Sequence, residues 1–502
     1  MVFWIAIFSL NNISIHGRII LINETKGCYL IMTDKEIQKH FDSTKNLFIT
    51  GPAGVGKSYW LNDYISKHDN VLVVAPTGIA ALHIGGETMH KVFHIPVPAF
   101  EAPSFAKNKK GAITTAMLNV IAAADTIILD EVSMARNAEF AFMIKVIRKA
   151  EKIKGSKIRL IVSGDFSQLP PVVKKTELKL MKKFKFDESG YAFTTSEWKS
   201  CNFKVIELTD IKRQDNKEFI KILNEIRKGD CSHIDYFKQF VNPNPDYDDA
   251  ICICGTNASA DKINQEYLDS LPGNTTVLQA RKEGRCGTAF NNDLILIKEG
   301  ARVIFTSNDL IRNKYKNGSF GIVKNIAADS VVVTINGKDE VIYRQDYPVY
   351  SYHALGKSLL KKELGTVHQY PFRLGKAITI HKSQGQTFDK VIISPEIFAA
   401  GQLYVVLSRV RSPEGLVLLK EIQKEHLIVD DLVQKFYKNN YKWNVKPRTK
   451  TVKKTAVKST KTKSSGVKKS NTKSVKNSVK KSSTKTTKKS IKKTTVSRSK
   501  KK

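Results

Sequence analysis

The segment GPAGVGKS, residues 51–58, has the residue types and spacing of a phosphate-binding loop. Its glycines let the backbone curl so that several N–H groups point at phosphates. Lys57 would reach the β- and γ-phosphates of a nucleotide, and the Ser58 hydroxyl would bind Mg²⁺. We expect the whole loop to bind a nucleoside triphosphate, through Gly51, Pro52, Ala53, Gly54, Val55, Gly56, Lys57 and Ser58.

Two carboxylates follow the apolar run TIILDE, residues 126–131, which is typical of a buried strand. At such a strand end one carboxylate can hold Mg²⁺ and the other can polarise the attacking water. We assign the first role to Asp130 and the second to Glu131. Alone, the pair could equally be a solvated strand end, and the loop upstream favours the catalytic interpretation. Gln168 ends the next strand and is a candidate sensor of the γ-phosphate.

Two arginines are candidates for completing this site. Arg213 lies in LTDIKRQDN and Arg409 in QLYVVLSRVRS. A guanidinium brought across a domain cleft stabilises the charge that develops on the γ-phosphate. The alternative is an ordinary surface salt bridge, which is the usual fate of an arginine. With the loop and the carboxylates, these residues predict a nucleoside triphosphatase and leave its kind open.

Alternating strand and helix patterns predict the elements that position these residues. Short apolar runs separated by helical segments favour parallel α/β sheets with helices on their faces. Residues 301–308 and 320–335 predict a small β insert with a turn at Asn317–Gly318. We expect two parallel sheets, the first from runs at 46–51, 71–76, 126–131 and 158–165, and the second from runs at 205–208, 250–256, 377–381, 391–394 and 415–419.

The charge of the chain indicates a polyanionic partner. The 502 residues carry a formal charge of +36 at pH 7. Residues 446–502, rich in Lys, Ser and Thr, hold 23 Lys/Arg and no Asp/Glu, which leaves +13 for residues 1–445. Both parts are basic, as expected of a nucleic-acid-binding protein. The tail has too few large apolar residues to fold, and we interpret it as an arm for nucleic-acid phosphates or as a solubilising or nuclear-targeting tail.

The first 31 residues differ from the body of the chain. The apolar run VFWIAIFSL, residues 2–10, is too short to span a bilayer and no charged region precedes it. It fits a weak signal peptide, or translation could start at Met32. No other segment has the pattern of a transmembrane helix, and we expect no membrane association.

The six cysteines form no C-x-x-C pair, and Cys252 and Cys254 are expected on one face of a buried strand. We expect all six to be reduced, with no zinc site, in a reducing intracellular compartment. The nucleus, another site of DNA replication and a viral replication site all fit this expectation.

Seven motifs in a fixed order resemble those of the Pif-one family of DNA helicases, in the RecD-like branch of helicase superfamily one. The resemblance covers about residues 33–420, and its long second motif is unusually specific. The motifs are TGPAGVGKS (50–58), APTGIAALHIGGETMHKVFHIP (75–96), ILDEVSMARNAEF (128–140), LIVSGDFSQLPPV (160–172), LTDIKRQDNKEFIKILNEIRKGD (208–230), AITIHKSQGQTFDKVII (377–393) and AAGQLYVVLSRVRSPEGLVLL (399–419).

The resemblance implies two tandem RecA-like domains, ATP and Mg²⁺ as cofactors, and single-stranded and forked DNA as partners. It implies catalytic roles for Lys57, Glu131, Gln168, Arg213 and Arg409, and metal binding by Ser58 and Asp130. It places Gln38 where a family glutamine reads the adenine, and Gly385 and Gln386 near the nucleotide. It also implies contacts with single-stranded DNA by Thr77, Gly78, Thr88, His90, His381, Lys382 and Ser383.

The resemblance further implies an organisation of the chain. The first RecA-like domain is expected at 32–200, with a short strand-separating wedge near 94–111. The second is expected at 201–445, with a small β-barrel insert near 291–369. The extension at 1–31, untranslated or unstructured, and a disordered tail at 446–502 flank them. The wedge segment is short and contains Lys and Pro, and the segment after Met134 is only loosely similar; both departures bear on unwinding rather than on ATP hydrolysis.

The implied activity is an ATP-dependent DNA helicase that moves 5′-to-3′ on single-stranded DNA and unwinds duplex or structured DNA in replication, recombination or repair. The direction comes from the resemblance alone. One alternative is a DNA-stimulated triphosphatase that remodels nucleoprotein without separating strands. Another is a catalytically silent nucleic-acid-binding protein, which the full catalytic set argues against. We expect a monomer; telomere or organelle maintenance and viral replication would also fit.

Overall fold

The computed structural model describes residues 19–21, 30–32, 34–95, 113–245, 250–286, 293–309, 312–394 and 396–441. Nearly all of the expected wedge, the whole basic tail and most of the N-terminal extension lie outside the described residues. Within the described ranges, no helix combines the length and the apolar character needed to cross a bilayer.

An eight-stranded sheet builds the first part of the chain, which we call the N-terminal lobe. Its strands are β1 (Ile19–Leu21), β2 (Leu30–Met32), β3 (Leu47–Thr50), β4 (Val71–Ala75), β5 (Glu87–Thr88), β6 (Thr126–Leu129), β7 (Arg159–Ser163) and β8 (Lys204–Leu208). Their order is β2-β1-β8-β3-β7-β6-β4-β5, and the strands from β8 to β5 run parallel. The expectation of a parallel sheet is confirmed, and part of the extension adds β1 and β2 at its edge.

Helices cover both faces of this sheet. They are α1 (Asp34–Phe41), α2 (Lys57–Lys67), α3 (Gly78–His83), α4 (Met89–Val92), α5 (Thr115–Ala123), α6 (Asn137–Lys154), α7 (Leu178–Lys183) and α8 (Ser196–Ser200). Successive side chains of a strand point to opposite faces. Phe48 accordingly enters one buried cluster while Leu47 and Ile49 enter another, which explains why the strands are continuous apolar runs.

The C-terminal lobe contains the remaining strands and helices. Its helices are α9 (Lys217–Arg227), α10 (Asn257–Ser270), α11 (Ile380–Ser383), α12 (Gln402–Leu407) and α13 (Asp431–Tyr441). Its strands are β9 (Ile251–Cys254), β10 (Thr276–Gln279), β11 (Arg281–Gly284), β12 (Leu294–Ile297), β13 (Arg302–Phe305), β14 (Phe320–Ile326), β15 (Val331–Ile335), β16 (Lys338–Ile342), β17 (Gln345–Leu355), β18 (Ser358–Gln369), β19 (Phe372–Leu374), β20 (Ala377–Thr379), β21 (Val391–Ile393) and β22 (Leu416–Leu418).

Four of these strands form a second parallel sheet in the order β20-β9-β21-β22. One strand differs from the sequence analysis, which assigned residues 205–208 to this sheet. In the structure they belong to β8, which pairs with β3 so that Val205 lies opposite Phe48. An apolar run does not specify its sheet, since both sheets accept the same pattern. The pairing brings Leu208 next to the phosphate-binding loop.

Strands β10 to β19 form the β insert, between α10 and β20. A five-stranded antiparallel sheet, β16-β15-β14-β13-β19, has its own apolar core. The insert strands run from Thr276 to Leu374, a longer stretch than the 291–369 assigned from sequence. The hairpin of β17 and β18 reaches the N-terminal lobe, where the Leu359 backbone N–H donates to Asn70 Oδ1 at 2.8 Å.

Helix α13 returns from the C-terminal lobe to the N-terminal lobe. Its Phe436 ring stacks on Phe193 with a centroid separation of 4.4 Å. The same ring packs edge-on against Phe166 and Trp198. The core of the N-terminal lobe is therefore completed by residues from near the end of the described chain.

Candidate active site

The phosphate-binding loop opens onto a cleft of about 420 Å³ between the two lobes. The wall from the N-terminal lobe contains the loop residues from Ala53 to Tyr59 with Glu131 and Gln168. The facing wall contains Lys212, Arg213, Gly385, Thr387, Arg409 and Arg411. The cleft brings together groups from distant parts of the chain whose types suggested phosphate chemistry.

The loop is shaped by its glycines and by the start of α2. Gly54 and Gly56 have φ of +82° and +83°, which side chains with a Cβ rarely adopt. A Cβ on Gly54 would also lie 2.5 Å from Arg213 Cβ, so the loop and this arginine are in close contact. Lys57 Nζ donates hydrogen bonds of 2.9 Å to the carbonyl oxygens of Gly51 and Pro52. Burial lowers the pKa of Lys57, which favours an anionic partner for its ammonium group.

The two carboxylates lie where β6 ends. The backbone N–H of Glu131 donates to Asp130 Oδ1 at 2.9 Å, and Glu131 has a positive φ of 51°. Burial and then the neighbouring Asp130 charge raise the pKa of Glu131 to about 7. Burial also raises the pKa of Asp130. A carboxylate with a pKa near neutrality is suited to accept a proton from water.

The two arginines approach the cleft from the C-terminal lobe. Arg213 donates to the carbonyl oxygens of Ser408 and Gly385, both at 3.3 Å. Arg409 is 1% exposed and donates through Nε to the Val405 carbonyl oxygen at 2.8 Å. Burial lowers the pKa of Arg213 to about 10, and burial together with the Arg213 charge lowers that of Arg409. Two cations side by side, one of them fully buried, would be stabilised by an anion placed between the lobes.

The other residues assigned to nucleotide binding occupy different positions. Gln168 lines the cleft, and its Nε2 lies 3.5 Å from Asp165 Oδ2. Gly385 also lines the cleft, whereas Gln386 is buried behind it and its carbonyl oxygen accepts from Arg409. Gln38 lies on α1, where its amide donates to Asp42 Oδ1 at 2.8 Å, and it is not among the cleft-lining residues.

The cleft offers few protein ligands for a metal ion. No group of three or more His, Cys, Asp or Glu side chains in the described part of the chain could hold one. Ser58 lines the cleft, and Asp130 directly follows β6. This donor set fits Mg²⁺, which usually takes one or two protein oxygens and completes its shell with phosphates and water.

Four residues assigned to DNA contacts lie on short helices of the N-terminal lobe. Thr77 caps α3, of which Gly78 is the first residue, and Thr88 caps α4. Each threonine hydroxyl accepts a backbone N–H at 3.3 Å. His90 Nε2 lies 3.3 Å from Glu139 Oε1. The cap bonds fix the helix starts, and all four residues remain partly accessible.

The three C-terminal residues assigned to DNA differ in exposure. Lys382 is exposed, and His381 is half-buried with a pKa that burial lowers. Ser383 is fully buried and its hydroxyl donates to the Ile380 carbonyl oxygen at 2.7 Å. Its own carbonyl oxygen accepts from Arg409. The Ser383 side chain therefore points into the protein in this structure, and its contact with DNA stays a prediction.

Sequence reasoning missed two side chains that reach across the cleft. Gln384 Nε2 donates to Glu131 Oε2 at 3.0 Å. The Tyr404 hydroxyl accepts the backbone N–H of Ala53 at 2.8 Å, which ties α12 to the phosphate-binding loop. Gln384 lies inside the HKSQGQ segment, so its motif could have drawn attention to it. Tyr404 lies in α12, whose other residues after Gln402 are all aliphatic, and it resembles an ordinary core residue.

A buried polar network beneath the loop was also missed. Asp165 accepts from Arg227 Nε at 2.9 Å and from Arg227 Nη2 at 3.0 Å. The Tyr437 hydroxyl donates to Asp165 Oδ1 at 3.0 Å, and it accepts the Phe166 backbone N–H at 3.0 Å. The Tyr437 oxygen also lies 3.0 Å from Thr50 Oγ1. Because the Tyr437 hydrogen is donated to Asp165, Thr50 is the donor to Tyr437. Burial alone would raise the pKa of Asp165, but the Arg227 charge holds this pKa below its usual value.

No cysteine in the part of the chain that the structure describes lines this cleft. Cys252 and Cys254 are buried on the same face of β9, with their Sγ atoms 3.8 Å apart. The five cysteines in the described part of the chain are all free thiols.

Comparison with known proteins agrees with this geometry. The family model of the PIF1-like helicases matches residues 21–236. The ATP-dependent DNA helicase Pif1 of Campylobacter jejuni is 31% identical over 437 residues, which are 79% of this chain and 95% of the relative. The human ATP-dependent DNA helicase PIF1 is 31% identical over 401 residues, and the match spans 58% of its length.

Solved structures show the same fold. The crystal structure of Bacteroides sp Pif1 in complex with ADP-AlF4 matches with a TM-score of 0.73 and 31% identity, over 82% of this chain and 98% of that one. Bacteroides Pif1 bound to ssDNA matches with a TM-score of 0.59 and 30% identity, over 81% and 97%.

Two parallel sheets that enclose a phosphate-binding loop and two arginines define a P-loop enzyme with tandem RecA-like domains. The chain belongs to the PIF1-like helicase family, and the resemblance seen in its motifs is confirmed.

Proposed function

We propose that the chain is an ATP-dependent DNA helicase that moves along single-stranded DNA and separates duplex or structured DNA. The observation that carries the proposal is the cleft in which the loop and Glu131 of one lobe face Arg213 and Arg409 of the other. ATP with Mg²⁺ supplies the free energy of phosphoryl transfer when bound there. The curated relatives bear the name ATP-dependent DNA helicase, which supports the same reading.

The two lobes contribute different groups to ATP binding and hydrolysis. Lys57 and the loop N–H groups would hold the phosphates, and Ser58 and Asp130 would hold Mg²⁺. Glu131 takes a proton from the attacking water, and Gln168 senses the γ-phosphate. Arg213 and Arg409 reach the phosphates only when the lobes are close, so their contacts favour closure. Opening and closing the lobes alternates their grip on DNA and gives stepping.

DNA binding is assigned to the surface that carries Thr77, Gly78, Thr88 and His90 in one lobe and His381 and Lys382 in the other. A Bacteroides Pif1 structure contains ssDNA, and a further Pif1 structure concerns DNA unwinding at forked dsDNA by two coordinating Pif1 helicases. We assign single-stranded and forked DNA to this chain, with travel 5′-to-3′. The proposal also includes a monomeric state, a basic tail that binds nucleic-acid phosphates, and a reducing compartment in which DNA is replicated.

The test is ATP hydrolysis with and without single-stranded DNA. DNA should stimulate hydrolysis, and Lys57→Ala should abolish it while DNA binding is retained, because the substitution removes only the phosphate-binding ammonium. Lys67→Ala is the matched control, since Lys67 lies at the other end of α2 and pairs with Asp63 on the surface. Hydrolysis that persists in Lys57→Ala would overturn the assignment of the loop.

A forked duplex then separates helicase activity from remodelling. Release of the displaced strand with ATP, absent in Lys57→Ala, is the expected result. Stimulated hydrolysis without release would replace the helicase by a triphosphatase that remodels nucleoprotein. Forks with a 5′ or a 3′ single-stranded arm report the direction, and preference for the 3′ arm would contradict 5′-to-3′ travel.

A further inference from the structure

One half-buried arginine in the C-terminal lobe has two guanidinium nitrogens without a partner. Arg373 lies on β19, and its Nε and Nη2 nitrogens are shielded from solvent but donate no hydrogen bond. Burial lowers the pKa of its guanidinium to about 10, with no carboxylate contributing. An unpaired charge shielded from water is costly. Methionine or leucine at this position would destabilise the fold less than an unpaired arginine does. The arginine therefore points to an anion that binds it from outside.

The guanidinium lines a pocket of about 320 Å³ between α10 and the β insert, which we call the Arg373 pocket. Lys382, one of the residues assigned to DNA, lines the same pocket. One carboxylate, Asp261, stands at its wall, but it forms no ion pair with either cation in the described structure. Asn264 is occupied by two hydrogen bonds with the Ala377 backbone. The free hydrogen-bonding capacity of the pocket is therefore mainly cationic.

The opposite side of the pocket is apolar. Leu294 and Leu296 both line it and are 56% and 42% exposed. They lie two residues apart on β12 and therefore project from the same face of the strand. Val277 pairs with Leu296 across the two strands and is 54% exposed. Exposed aliphatic side chains beside an unpaired guanidinium suit a ligand with both an anionic group and a flat apolar surface.

We propose that the Arg373 pocket binds one nucleotide of single-stranded DNA, with the phosphate on Arg373 and Lys382 and the base against Leu294 and Leu296. The inference rests on the proposed function and extends the DNA-binding surface from α11 onto the β insert. A nucleotide has the two chemistries that the pocket offers, since its phosphate is anionic and every base has an apolar face. Lys382 joins the pocket to the surface assigned to DNA.

The first test is binding of a fluorescent oligonucleotide by the full chain at several salt concentrations. Arg373→Met should weaken binding by about 10-fold and reduce the slope of affinity against salt by about 1, because one phosphate contact is lost. Its melting temperature should stay equal or rise, since a buried unpaired charge is removed. Arg148→Met is the control, because Arg148 is an exposed residue of α6 in the other lobe.

The second test separates a nucleotide from a simple anion. Leu296→Ser should weaken oligonucleotide binding and leave the salt slope unchanged, because it removes base contact and no charge. Leu355→Ser is the control, since Leu355 is 68% exposed at the end of β17. Inorganic phosphate should compete with the oligonucleotide far more weakly than an unlabelled oligonucleotide does.

The outcomes distinguish this inference from the proposed function. If the wild-type chain does not bind single-stranded DNA, the proposed function itself fails. If it binds, and folded Arg373→Met has unchanged affinity and salt slope, the Arg373 pocket is not a DNA subsite. If Arg373→Met weakens binding but Leu296→Ser does not, and inorganic phosphate competes as well as the oligonucleotide, the pocket takes a phosphate alone and the nucleotide assignment is overturned.

Discussion

Gln384 Nε2 donates a 3.0 Å hydrogen bond to Glu131 Oε2, so a side chain of the C-terminal lobe holds the carboxylate that we propose activates water in the N-terminal lobe. This bond lowers the pKa of Glu131, against burial and the Asp130 charge, which raise it. The position of the second lobe thus contributes to the orientation of this carboxylate and, less than burial does, to its pKa. Movement of the lobes can be coupled to hydrolysis through this contact as well as through the arginines.

Replacing Gln384 tests this coupling. We expect Gln384→Ala to lower kcat for ATP by roughly 10-fold or more while KM changes little, because Glu131 loses its orientation at the water. The acid limb of the pH–rate profile should move to higher pH, since a bond that lowers the Glu131 pKa is removed. Gln239→Ala, at an exposed surface glutamine, is the control. An unchanged pH profile would show that the contact does not tune Glu131.

The raised pKa of Glu131 predicts opposite effects on activity and stability. A carboxyl whose pKa is about 7 in the fold and ordinary in the unfolded chain destabilises the fold as pH rises through that interval. Glu131→Gln should therefore abolish hydrolysis and raise the melting temperature at pH 8 by about 2–4 °C. At pH 5 the gain should shrink, because Glu131 is then protonated in the fold. An equal gain at both pH values would contradict the assigned pKa.

Removal of the buried Tyr437 hydroxyl should lower the stability of the fold. Tyr437→Phe leaves the Phe166 N–H without its acceptor and removes one donor from Asp165, so we expect a loss of about 1–3 kcal/mol in the free energy of unfolding. Denaturant unfolding measures it. Tyr343→Phe, at a tyrosine that is 57% exposed, should change stability by less than about 0.5 kcal/mol. Equal stability of the two variants would show that the buried hydroxyl contributes nothing.

The basic tail should contribute to the affinity for DNA and to its dependence on salt concentration. Deleting residues 446–502 should weaken DNA binding and flatten its dependence on salt, because 23 positive charges are lost. A chain of the same length with these Lys and Arg residues changed to Gln separates charge from length and should behave like the deletion. A salt slope unchanged in both would leave the tail as an address or a spacer.

The sequence predicted the nucleotide cleft better than the contacts that connect the lobes. Phosphate chemistry needs particular residue types at fixed spacing, so the loop, Glu131 and Arg409 could be found by pattern. The neighbour of a strand or helix is a long-range property that no local pattern records, and for that reason 205–208 was assigned to the wrong sheet. The inward direction of the Ser383 side chain could not be predicted either, since a hydrogen bond within one turn, to the Ile380 carbonyl oxygen, decides it. Tyr437 could not be found at all, because one tyrosine in an amphipathic helix looks like ordinary core.

Because α13 returns to the N-terminal lobe, the C-terminal lobe is inserted in sequence between two parts of the N-terminal lobe. A fragment cut after residue 200 would lack β8 and α13, and it would present Phe166, Phe193 and Trp198 to water as an aromatic patch that favours aggregation. Truncation alone therefore does not give a stable lobe, and the connections between the segments must be changed as well. An independent N-terminal motor half would need residues 431–441 grafted behind Leu208 through a flexible linker.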